Sequence, residues 1–201
     1  MIKTKQLTKK YGSLYALRNV DLHVPNGAIY GLLGSNGAGK TTLLSLIAGL
    51  TYPRAGTISV KTTKPIGLMA QHAEFPNTKP IPYLVYLGKL KGMSADAAEK
   101  QAISFLEHFG LEQHLSKSVQ TYSNGMQKLV NLAQAFMGDP QIVLLDEPIA
   151  GLDPKTSVIV ARFIEEQHDG KTIIICSHHL EIIEHLCTHV AILHQGHLMI
   201  Q

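Results

Sequence analysis

The sequence predicts an α/β fold with a mainly parallel sheet, an N-terminal antiparallel β portion and an inserted helical subdomain. Short runs rich in Ile, Val and Leu alternate with segments of helical period. Two of those runs, QIVLLD (141–146) and TIIICS (172–177), are apolar enough to be strands covered on both faces of a parallel sheet. The middle of the chain, about 75–137, reads as mostly helical between two strand-rich portions. A single domain over 1–201 is expected, with an α/β core from 1–74 and 138–201 and the helical subdomain over 75–137.

Strands are predicted near 2–7, 20–24, 28–33, 57–60, 66–70, 141–146, 172–176, 189–194 and 197–200. Helices are predicted over 40–49, 96–109, 124–137, 155–168 and 179–186, with Gly49, Gly110 and Gly170 placed where C-caps belong. The stretch 75–93 carries three prolines and three aromatics, so its first half is expected to be irregular or extended. The segment TYSNGMQKLVNLAQAF (121–136) places Met126, Leu129, Val130, Ala133 and Phe136 on one helical stripe. Ser123 is its expected N-cap, and Asn124 and Gly125 tolerate turn dihedrals.

Bulk properties narrow the function classes. Net charge is +3 and charged residues make up 16%, with no basic run, so a nucleic-acid partner is not expected. No apolar stretch approaches the roughly 18 residues of a membrane span, and the N-terminus lacks a signal-like apolar region. The two cysteines, Cys176 and Cys187, have no metal or redox spacing and read as free thiols of a reducing compartment. A cytoplasmic location is expected, with any membrane role requiring a partner.

The most informative segment is Gly34-Ser35-Asn36-Gly37-Ala38-Gly39-Lys40-Thr41-Thr42, between an expected strand and an expected helix. It fits the phosphate-binding loop of P-loop NTPases in sequence and in context. Glycines let successive N–H groups turn toward phosphate oxygens, and the following helix N-terminus adds positive potential. Lys40 is then expected to neutralise the β- and γ-phosphates of ATP, and the Thr41 hydroxyl to ligate Mg²⁺. Further on, Ile142-Val143-Leu144-Leu145-Asp146-Glu147 is an apolar strand that delivers two acids to the carboxyl end of the sheet. Asp146 suits the Mg²⁺ shell and Glu147 the activation of water, although the same pattern also describes a strand leaving into a polar turn at Pro148.

With these motifs in order, the whole chain resembles the nucleotide-binding domain of ABC transporters. The resemblance implies that Tyr11, in KKYGSLYALRNV, stacks on adenine; a turn aromatic packed on a sheet edge is the plainer alternative. It implies that Gln71, in IGLMAQ, sits near Mg²⁺ and the membrane partner. Residues 122–126, YSNGM, resemble the signature motif, with Ser123, Asn124 and Gly125 contacting nucleotide. Ala150-Gly151-Leu152-Asp153 resembles the D-loop, and His178 the switch histidine at the γ-phosphate. Several other histidines crowd His178, and a metal cluster among them is a poorer reading because their pairs lack Cys or carboxylate partners at obvious spacing.

Departures are specific. Asn124 replaces a signature glycine, Met126 the glutamine and Tyr122 the leucine, and such Tyr-Ser-x-Gly-Met forms are similar to those of bacterial exporters. Leu129 and Gln134 stand where many members carry arginine, which puts charge pairing around this helix in doubt. What the resemblance implies is an ATPase that pairs with a second cassette, identical or related, and powers a separate transmembrane permease from the cytoplasmic face of the membrane. A soluble or regulatory ABC-type ATPase, or one serving heme or cofactor export, remains the alternative.

Overall fold

A computed structural model describes residues 1–201. The chain builds two sheets. In the larger, β4 (Ile29–Leu33), β6 (Gly67–Met69), β7 (Ile142–Asp146), β8 (Thr172–Ser177), β9 (His189–His194) and β10 (His197–Ile200) lie in the order β10-β9-β4-β8-β7-β6. All its pairings are parallel except the terminal β9–β10 hairpin. Strands β4, β7 and β8 are buried at every residue, which is why their sequences show no polar alternation.

The smaller sheet is antiparallel. Here β1 (Ile2–Tyr11) pairs with β2 (Leu14–Val20), β3 (His23–Val24) and β5 (Ala55–Val60). Strand β2 was not foreseen as such: the predicted strand at 20–24 straddles the end of β2 and the two residues of β3. The β1–β2 hairpin turns at Gly12, whose φ of 55° is a left-handed conformation that glycine adopts without steric cost.

Helices α1 (Lys40–Ile47), α5 (Pro154–His168) and α6 (Leu180–Leu186) belong to the strand–helix alternation, whereas α2 (Pro80–Leu90), α3 (Ala95–His108) and α4 (Asn124–Phe136) lie between β6 and β7. The first half of 75–93 is irregular as expected only up to Lys79; from Pro80 on, helix α2 corrects that reading. Pro80 occupies the first helical position and Pro82 the first turn, where no intrahelical N–H is required, so these prolines start a helix rather than break one.

One apolar cluster of 29 residues joins the helical insertion, α5 and α6 to one face of the parallel sheet. A second, of 19 residues, packs α1 and the antiparallel strands against the other face. Phe163 of α5 is the hinge pin of the first cluster: its ring meets Phe105 of α3 at 5.0 Å, Phe109 at 4.7 Å and Phe136 of α4 at 5.2 Å. The Phe105 and Phe136 contacts are edge-on and the Phe109 contact tilted, and such aromatic pairs add about 0.5–1.5 kcal/mol each beyond burial. They fix α4 relative to the carboxyl end of β7, where the candidate site lies.

Candidate functional site

Strand β4 and helix α1 are joined by residues 34–39, and this loop forms the floor of a cleft of about 660 Å³. Gly39 sits at φ 108°, and a Cβ there would lie 2.5 Å from the carbonyl oxygen of Ala16, so only glycine fits. No side chain caps α1 and no acid occupies its first turn. The N–H groups of Gly37, Gly39, Lys40, Thr41 and Thr42 find no acceptor within the protein. A row of unsatisfied donors at a helix N-terminus is an anion site.

Lys40 is buried, and its ammonium donates to the carbonyls of Gly34 at 2.6 Å and Ser35 at 3.3 Å. It also stands 3.4 Å from Glu147 Oε1. Thr41 Oγ1 donates to Asp146 Oδ2 at 2.6 Å, while Asp146 Oδ1 is buried with no hydrogen-bond partner. Burial pushes the Asp146 carboxyl above the usual carboxylate range; the Thr41 hydrogen bond opposes that shift and the neighbouring Glu147 charge adds to it. An orphaned buried carboxylate oxygen beside a hydroxyl is a fitting oxygen-donor set for a hard divalent cation such as Mg²⁺.

Glu147 follows Asp146 with φ 52°, a left-handed conformation that costs a non-glycine residue about 1–2 kcal/mol. This turn lifts its carboxylate out of the strand direction. Its Oε1 lies 2.8 Å from His178 Nδ1, a bond that requires Nδ1 to carry its proton, and Ser177 Oγ approaches Oε2 at 3.5 Å. The backbone is fixed from both sides, since Glu147 N–H donates to Cys176 O at 2.9 Å and Lys128 Nζ donates to Glu147 O at 3.0 Å.

The predicted residues fall into two groups. Tyr11, Ser35 to Thr42, Gln71, Asp146 and Glu147 line the first cleft, and His178 joins them through Glu147. Gly34 closes the loop's entry, with Ala38 and Leu193 packed too close to admit a side chain. Asn124 and Gly125 do not reach that cleft. They line a separate hollow of about 400 Å³ together with Gln71, Lys128 and Ala150 to Leu152. Ser123 caps α4, its hydroxyl accepting from Met126 N–H at 3.3 Å. Asp153 lies in neither opening: it is the N-cap of α5, accepting from Thr156 N–H at 3.1 Å and Thr156 Oγ1 at 2.6 Å, and these bonds hold its carboxyl below the usual range.

Several cleft residues escaped sequence reasoning. Tyr15 lies beneath two cations, Lys10 at 4.8 Å and Arg18 at 4.7 Å, and lines the same opening as Tyr11, Gln195 and His197. The signal was the Gly12 turn between two β-rich runs, which brings Tyr15 back toward Tyr11. The doubt about α4 also resolves. Leu129 is buried in the apolar cluster, while Gln134 accepts from Tyr83 Oη at 2.6 Å and its carbonyl accepts from Lys91 at 2.8 Å. The helix is held by hydrogen bonds where an arginine would otherwise pair.

Fold and cleft together define a nucleoside-triphosphate-binding protein built on a phosphate loop. A family model described as ABC transporter matches residues 17–150, and the chain belongs to that family as an ATP-binding subunit. Among curated relatives, the chain is 35% identical to the bacitracin transport ATP-binding protein of Enterococcus faecalis, covering 99% of this chain and 68% of that one. It is 36% identical to a Nod factor export ATP-binding protein of Burkholderia lata, covering 97% and 68%, and 31% identical to the linearmycin resistance ATP-binding protein of Bacillus subtilis, covering 99% and 68%. A solved dimeric ATP-binding cassette in a post-hydrolysis state with ADP and inorganic phosphate superposes with a TM-score of 0.89 at 25% identity, covering 98% of this chain and 96% of that one.

Proposed function

We propose that the chain hydrolyses ATP as one of two cassettes that close head to tail over two nucleotides, and that this closure drives export through a separate transmembrane permease. The observation that carries the hydrolytic part is the convergence of Lys40, Asp146, Glu147 and His178 at one end of a nucleotide-sized cleft. Tyr11 lies at the other end, half exposed, as a face for the base.

Before nucleotide arrives, Lys40 rests on the loop's own carbonyls and on Glu147. An incoming triphosphate offers it stronger charge-assisted partners, and the free N–H groups of Gly37 and of Gly39 to Thr42 hold the phosphate oxygens in line. Glu147 is thereby released from Lys40 to accept a proton from the attacking water at a carboxylate oxygen, while His178 keeps that carboxylate oriented. Thr41 and Asp146 would hold Mg²⁺, with Gln71 beside them; bound there, the ion neutralises charge on the phosphate oxygens.

The second cassette, identical or related, would supply Ser123, which caps α4, and Asn124 and Gly125, which line a hollow separate from the cleft of this chain's own phosphate loop. Asp153 acts in this reading by setting the start of α5 beside that interface. The solved cassette's dimeric state supports the pairing, and the names of the bacitracin and Nod factor relatives support transport and export. No helix is long and apolar enough to cross a membrane; in this reading the permease is a separate chain and this one works from the cytoplasmic face. In this reading the helical insertion over 75–137 carries the signature residues, and its segment 75–93 offers the face on which the permease docks.

The test is Glu147→Gln. Hydrolysis should fall on the order of 100-fold or more, and an ATP-bound dimer should accumulate by size exclusion. Near-normal turnover would overturn the assignment.

A further inference from the structure

Lys128 belongs to α4 yet does not act within it. Its side chain is half-buried and reaches across to the loop after β7, where Nζ donates to the carbonyls of Glu147 and Ala150. Burial lowers its pKa, while the nearby Glu147 and Asp146 charges oppose that shift. One turn earlier on the same helix, Gly125 lies against Leu152, so a Cβ there would contact Leu152 Cδ2 at 3.5 Å. Helix α4 is therefore fastened through Lys128 to the segment that runs from Glu147 to Asp153, with Gly125 facing the same segment. Ser123 and Lys128 are five residues apart, about 7.5 Å along a rigid helix.

We propose that Lys128 is a positioning residue that couples the two ATP sites of the closed dimer. This rests on the head-to-tail reading above. In that arrangement the N-terminus of α4 receives the γ-phosphate held by the partner cassette, whereas Lys128 holds the backbone of Glu147 in this chain's own site. A displacement of α4 on contact with the partner's nucleotide is carried, through one ammonium and two carbonyls, to the strained turn that aims Glu147 at its water. Glu147 is sensitive to such a pull because its left-handed backbone is held by few bonds: its N–H donates to Cys176, and its carbonyl accepts from Lys128 at 3.0 Å and from Ala150 N–H at 3.4 Å. The apolar Leu129 next to it cannot make this link, being sunk into the core. The consequence is that occupancy of one site sets the readiness of the other, and hydrolysis rises cooperatively with ATP.

Steady-state hydrolysis by the full chain, measured against ATP concentration for wild type, Lys128→Met and Lys128→Arg, tests this. Lys128→Met should lower kcat on the order of tenfold or more and bring the Hill coefficient to near unity, with ATP affinity of the monomer unchanged. Lys128→Arg, which also reaches the two carbonyls, should restore both. Full cooperative turnover in Lys128→Met overturns the coupling. So does a loss that arginine does not rescue and that tracks an equal fall in thermal midpoint, since packing alone would explain it. The two readings separate through Glu147→Gln: if that variant forms no ATP-bound dimer, the head-to-tail reading and the coupling both fall. If it dimerises while Lys128→Met keeps wild-type cooperativity, only the coupling falls.

Discussion

Thr41 Oγ1 donates to Asp146 Oδ2 across 105 residues of sequence at 2.6 Å, and the other carboxylate oxygen of Asp146 is left buried without a partner. Such a carboxylate is a liability to the empty fold and an asset to a cation. The raised pKa gives the sign. A group whose folded pKa exceeds its unfolded value adds stability at pH below the ordinary carboxylate range, and that contribution is lost as pH rises through the raised value.

At neutral pH the empty chain therefore carries an unfavourable charge at Asp146. Asp146→Asn removes the charge and keeps an oxygen for Thr41. Calorimetry without nucleotide should show a thermal midpoint higher by a few degrees, given about 2–4 °C per kcal/mol for a chain of this size. Hydrolysis should fall on the order of 100-fold. Mg²⁺ with ATP should stabilise wild type more than the variant, and equal stabilisation of both would remove Asp146 from the metal shell.

Permease docking is best tested at Tyr86 and Leu90 of α2, because their neighbours Tyr83 and Leu84 are tied into the subdomain. Leu84 is fully buried, and Tyr83 is committed to Gln134, so substituting either disturbs the subdomain itself. Tyr86 and Leu90 are 61% and 66% exposed and four residues apart, hence on one face of α2. Tyr86→Ala with Leu90→Ser should leave ATP binding and folding stability within about 0.5 kcal/mol of wild type while co-purification of the membrane subunit falls. Undiminished co-purification would move the docking face elsewhere.

The sequence made the phosphate loop and the Asp146–Glu147 strand end legible because backbone curvature and burial each demand particular residue types there. Strand β2 was hidden because its apolar residues alternate only loosely, with Leu17 and Val20 inward and Leu14 and Tyr15 at the cleft. With β2 missed, Tyr15 and Arg18 could not be placed beside Tyr11. Helix α2 was hidden by prolines whose meaning depends on whether they stand in a first turn or an interior. The supports of α4 were opaque for a different reason. Tyr83 and Lys91 come from α2 and its C-cap, and no local pattern announces a hydrogen bond to Gln134.

Lys91 gives a pH signature of that support. Burial pushes its ammonium down to about 8. A lysine depressed in the folded state binds its proton more weakly than in the unfolded chain, so its contribution to stability grows as pH rises from about 8 toward the ordinary value near 10.5. Denaturation of wild type and Lys91→Met at pH 7.5 and 9.5 should differ in slope, wild type gaining on the order of 1–2 kcal/mol relative to the variant. Parallel pH profiles would show that Lys91 keeps its usual affinity for protons.

Ser123 separates a cap from a ligand. Its hydroxyl accepts from Met126 N–H at 3.3 Å, and the residues that follow it, Asn124 and Gly125, line the second hollow with Gln127. As a cap alone, Ser123→Ala should cost about 1 kcal/mol of stability and leave hydrolysis otherwise intact. As a phosphate contact across a dimer, Ser123→Arg should abolish ATP-driven dimerisation and cooperative hydrolysis while monomeric ATP binding persists, because the loop at 34–42 is untouched. Ser123→Thr, which keeps the hydroxyl, should retain both functions. Normal hydrolysis by Ser123→Arg would reduce the start of α4 to a well-capped helix and leave each cassette to work with its own cleft.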